Sequence, residues 1–60
     1  MIRQVKITVP AEGVNLEVTV TFKRIRNTEF WDAYIGITPM GVYHTDFVNF
    51  RLASELVGRL

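Results

Sequence analysis

His44 and Asp46 stand two residues apart, the spacing at which an imidazole base and its orienting carboxylate share one face of a strand. They are the best catalytic candidates in the chain. His44 is the only histidine and Ser54 the only serine. The same pair also reads as a polar side chain facing solvent followed by a helix cap, so the expectation is a protein that is not an enzyme. Glu29 and Asp32 would share a helical face, but two carboxylates in a first helical turn also answer the macrodipole. No ligand spacing for a metal is present, and no cofactor is expected. The absence of cysteine excludes disulfides and thiolate sites. Gly13, Gly36, Gly41 and Gly58 are isolated and form no phosphate-binding loop.

Binding chemistry is better represented. Lys23, Arg24 and Arg26 cluster directly before Phe30, Trp31 and Tyr34. Cations beside aromatic rings suit a nucleic-acid backbone and its bases, and Arg3 and Lys6 would join the cluster across a hairpin. Net charge is only +1, and Glu12, Glu17, Glu29 and Asp32 interrupt the basic residues. Residues 1–26 hold five cationic side chains against two carboxylates, and the remainder holds two against four. The other reading is a protein contact. Trp, Tyr and Arg are the types enriched at interface hot spots, and Arg24, Arg26, Phe30, Trp31, Tyr34 and Tyr43 form that set. Nucleic acid, through Arg3, Lys6, Lys23, Arg24 and Arg26, is kept as the alternative.

These residues need a scaffold, and 60 residues allow a single domain, 1–60. At this length only about 60% of the unfolded chain's surface is buried. The apolar content is 48%, including seven aromatic residues. One sheet and one helix cannot shelter all of it, so a leftover apolar patch is expected to meet a protein partner, a second copy first of all. No apolar run approaches the ~20 residues of a membrane span, no leader-like segment opens the chain, and a cytoplasmic setting is expected. The layout would suit a small inhibitor or adaptor of the kind mobile elements encode.

The elements follow from periodicity. Val5, Ile7 and Val9 alternate with Gln4, Lys6 and Thr8, and Val14 to Phe22 alternate with Asn15 to Lys23. Both read as half-buried strands around the turn Pro10-Ala11-Glu12-Gly13. A four-residue loop sets Lys6 opposite Glu17 and is preferred over a two-residue loop at Glu12-Gly13. The phase must break near residues 23–25, or Arg24 and Arg26 enter the core. Residues 27–36 fit a short capped helix or a strand. The strand is preferred, because Thr38-Pro39-Met40-Gly41-Val42 then reads as a type I turn with a glycine bulge. Val42, Tyr43 and His44 begin the returning strand. A helix capped by Thr45 or Asp46 would carry Val48, Leu52, Ala53, Leu56, Val57 and Leu60 on one stripe; a strand through Leu52 followed by a short helix is the rival. The fold class is α+β: an antiparallel sheet of three or four strands, N-terminal hairpin first, against one C-terminal helix.

Overall fold

The computed structural model describes residues Met1–Leu60. Strands β1 (Ile2–Ala11), β2 (Val14–Arg24), β3 (Phe30–Ile35) and β4 (Thr38–His44) form one antiparallel sheet in the spatial order of the chain. A 3-10 turn over Thr45–Phe47 leads to helix α1 (Phe50–Gly58), which lies across β1 and β2. This is the α+β arrangement expected, with four strands.

The first hairpin pairs Ala11 with Val14, Val9 with Leu16, Ile7 with Val18 and Val5 with Val20. The loop is therefore Glu12-Gly13 alone, not the four-residue loop preferred from sequence. Both loop residues have positive φ, 47° and 81°, the requirement of the tight turn whose twist matches that of paired strands. Either register keeps the same apolar face, so hydrophobic patterning cannot choose between them. Nor is the charge pair lost. Lys6 now faces Thr19, yet its Nζ reaches Glu17 Oε1 diagonally at 3.6 Å.

β2 ends at Arg24, within the stretch where the alternation had to fail. Ile25 to Thr28 turn the chain, with the Thr28 N–H donating to the Ile25 carbonyl at 3.1 Å. Asn27 takes φ 62° there, a conformation asparagine tolerates better than most residues. Residues 30–35 are strand, as preferred. Trp31 and Ala33 point to the core, and Asp32 and Tyr34 to the opposite face.

The second reversal falls at Gly36-Ile37, with Ile35 opposite Thr38. The turn expected over residues 38–42 is instead strand. Pro39 misleads because a fixed φ suits a turn and an edge strand alike, and β4 is an edge. Gly41 does form a bulge, but inside β4. Asp32 faces Val42 while Tyr34 faces Pro39, so β4 carries one extra residue between those pairs. Gly41 has φ +105°, and the Tyr43 ring lies over it. The Tyr43 hydroxyl donates to the Met40 carbonyl at 2.7 Å, holding the ring there.

The long helix from Thr45 or Asp46 is also corrected. Thr45 is held from outside: its N–H donates to the Glu29 carbonyl at 2.8 Å and its Oγ1 accepts from Trp31 Nε1 at 2.7 Å. Val48 is extended and buried. Asn49 then caps α1, its side chain accepting the Leu52 N–H at 2.8 Å. Leu52, Ala53, Leu56 and Val57 of the expected stripe face the sheet, with Ala53 and Leu56 fully buried, whereas Leu60 lies beyond the end of α1 and is 68% exposed.

The core collects at one end of the first hairpin. On the helix side of β2, Val20 and Phe22 are 0% exposed, whereas Leu16 is 53% and Val14 61% exposed. The molecule is long, 43 × 21 × 17 Å. Its radius of gyration is 11.9 Å, against about 10.4 Å for a compact chain of this length.

Two glycine substitutions separate backbone strain from crowding. A Cβ at Gly36 meets open space, but at Gly41 it would lie 2.9 Å from Tyr43 Oη. Gly36→Ala is expected to cost about 1 kcal/mol through its positive φ alone. Gly41→Ala is expected to cost clearly more, about 2 kcal/mol or above, because the tyrosine must also leave its hydrogen bond. Urea unfolding midpoints read the difference.

Candidate protein-docking surface

Trp31 shows how the sheet disposes of the expected anchors. Its indole is 2% exposed. The Nε1–H is bonded to Thr45, and the Arg3 guanidinium lies 5.3 Å from the ring centroid. Trp31 therefore joins the end of β3 to the C-terminal segment and offers no ring to a partner. Tyr43, directly across from it on β4, is half-buried on the same side.

The remaining members of that set scatter. Phe30 and Tyr34 project from the open face of the sheet, away from α1. The Phe30 ring meets His44 edge-on, with centroids 5.5 Å apart. The Lys23 ammonium sits 5.5 Å from the centre of the Tyr34 ring. Thr21, Lys23, Tyr34, Gly36 and Ile37 line an open depression of about 450 Å³ there. Arg24 lies at the sheet end, its Nε donating to the Thr28 carbonyl at 2.9 Å and its Nη2 3.7 Å from Glu29. Arg26 is in the turn beside it, and with Met1, Arg24 and Asn27 it lines a second depression of about 420 Å³.

The basic residues divide in the same way. Lys6 and Lys23 lie on the open face, Arg3 and Arg24 on the helix side, and Arg26 in the loop. Arg3 is engaged by Trp31, Arg24 by Thr28 and Glu29, and Lys6 by Glu17. No single surface gathers the five cations that a shared phosphate track requires.

His44 and Asp46 do come together, but as a cap. His44 Nδ1 accepts the Asp46 backbone N–H at 3.1 Å, starting the 3-10 turn, and the Asp46 carboxylate lies 3.5 Å from that nitrogen. Glu29 and Asp32 share no helical face, being on a loop and a strand. No three His, Asp or Glu side chains converge.

The surface that does stand out is apolar. Val14 and Leu16 project from the helix side of the hairpin beyond the reach of α1. Phe47 and Phe50, flanking the helix start, are each 64% exposed. The sequence signal for the phenylalanines was their place off the helical stripe. For Val14 and Leu16 it was their membership of an apolar face longer than one short helix can cover. Comparison with known protein families, curated sequences and solved structures returned no match.

Two results are expected from this geometry. Trp31→Ala should cost about 3–5 kcal/mol, a third or more of a stability of about 3–9 kcal/mol, while Tyr34→Ala should cost under about 1 kcal/mol. Far-UV circular dichroism with urea titration separates the two. Low-salt titration with single- and double-stranded oligonucleotides should give no saturable binding, because the cations face different ways.

Proposed function

We propose that this chain is a non-enzymatic protein-docking module that binds first to a second copy of itself. In this reading it works as a cytoplasmic inhibitor or adaptor, occupying or bridging protein surfaces without turning over a substrate. The observation that carries the reading is the change along one face of one strand. β2 passes from complete burial at Val20 and Phe22 to majority exposure at Leu16 and Val14.

The area supports it. The chain exposes 4448 Å², against roughly 4,000 Å² for a compact monomer of its 6.9 kDa mass. The excess is of the kind that association removes, since the exposed side chains are large and apolar. The surrounding charges are mixed in sign. Lys6 pairs with Glu17 and Arg51 with Glu55, and all four side chains are solvent-exposed. Such pairs contribute little to stability and suit the wet margin of a contact.

Sedimentation from micromolar to sub-millimolar concentration tests the reading. A mass rising toward twice 6.9 kDa is expected. A mass that stays at one chain throughout removes self-association and with it the proposal.

A further inference from the structure

We infer that the second copy joins through the free edge of β1, antiparallel to itself, so that one sheet runs through both chains. The inference rests on the self-docking reading and assigns it a surface.

The two sheet edges are unequal. Each edge has one proline turned outward, Pro39 on β4 and Pro10 on β1, but β4 also carries the Gly41 bulge, which interrupts its outer row of backbone groups. β1 runs ten residues without a bulge. The two-residue loop fixes which of its groups are free. Residues flanking such a loop exchange hydrogen bonds, and alternate pairs do so along the ladder. Arg3, Val5, Ile7, Val9 and Ala11 thus turn their backbone groups toward β2. Ile2, Gln4, Lys6, Thr8 and Pro10 turn theirs outward. Pro10, lacking an N–H, falls where no ladder bond within the chain is lost.

The hairpin is also its own complement when reversed. At one end β1 pairs Val5 with the fully buried Val20, and at the other it pairs Val9 and Ala11 with Leu16 and Val14, which are 53% and 61% exposed. A two-fold axis at Ile7 sets the bare end of each copy beside the helix-covered end of the other. In that register Val5 faces Val9 of the second copy, and Lys6 faces its Thr8, so the two Lys6 side chains do not oppose. Arg3 comes next to the turn that holds Glu12 of the second copy, an attractive arrangement. Both helices lie on one side of the joined sheet, and the half-exposed edge residues Val5 and Val9 are covered from the flank.

Thr8→Pro tests the edge. The Thr8 N–H faces outward, so proline removes no bond within the chain but deletes one intermolecular bond per copy. The expected result is native circular dichroism with a dimer about tenfold weaker or more by sedimentation. A cysteine offers a test independent of that fold, since the chain has none. Lys6→Cys chains mixed with Thr8→Cys chains are expected to cross-link under mild oxidation, because positions 6 and 8 face each other across the joined edge, and Val42→Cys on β4 is not. If folded Thr8→Pro dimerises like wild type, or Val42→Cys links chains and the Lys6→Cys and Thr8→Cys mixture does not, the edge assignment is overturned while self-docking stands. A wild-type chain that never dimerises overturns both.

Discussion

One short helix over a long hairpin is the constraint from which the rest follows. The nine residues of α1 span about 14 Å. The eleven residues of β2 extend about 37 Å. No placement of that helix can cover both ends of the hairpin, so one end becomes core and the other becomes surface. The alternation of Val14, Leu16, Val18, Val20 and Phe22 makes no distinction along the strand. What distinguishes them is only whether α1 lies overhead. A longer helix would make an ordinary two-layer domain. Shortening it exports part of the apolar face to solvent, where burial of each further side chain is worth about 1.5–3 kcal/mol to whatever provides it.

The position and length of α1 are set by bonds from β3 and its preceding loop. Thr45 is tied by its N–H to the Glu29 carbonyl and by its hydroxyl to the Trp31 indole. These contacts hold the chain close to the sheet end after β4 and stop a helix from starting there. Val48 then drops into the core in an extended conformation, and only at Asn49 is the backbone free to begin α1. Trp31 thus does for this fold what an interface anchor does for a complex: a large ring excludes water while its polar edge finds one partner. Arg3 closes the outer side of the same ring, which draws a cation away from any external role.

Legibility from sequence followed the reach of each interaction. The first hairpin and most of the stripe of α1 were readable because their periods are local and the apolar residues keep to them; residues 27–36 fitted a capped helix as well as a strand, and pairing with β2 decides for the strand. The hairpin register was not, because loops of two and four residues present the same face; the deciding term is turn twist, which Glu12 does not advertise. Pro39 and Gly41 were read as a turn since each is a turn former, but proline on an edge strand and glycine under a tyrosine ring satisfy the same preferences. Residues 45–49 were opaque because their conformation answers to residues 29 and 31. The binding residues suffered most. Trp, Tyr and Arg enrich interfaces and also build cores, and composition cannot tell which. Facing is decided by the five-residue loop between β2 and β3, and it sends Trp31 inward and Tyr34 to the far side of the sheet.

The treatment of the two edges gives the apolar surplus a direction. An unpaired strand invites any extended chain, and β4 counters this with a proline and a bulge. β1 counters it with Lys6 and Pro10, both of which leave a defined way in. Lys6 is tethered to Glu17 across the hairpin and repels only a register that sets it against another lysine. Pro10 lacks a donor but keeps its carbonyl as an acceptor. An indiscriminate peptide gains the backbone bonds of this edge but no apolar cover for the hairpin's bare end. In the proposed dimer a reversed copy would gain both, because the helix-covered end of its hairpin would arrive where cover is missing. Selectivity for self would then come from the unequal ends of the hairpin rather than from a pocket.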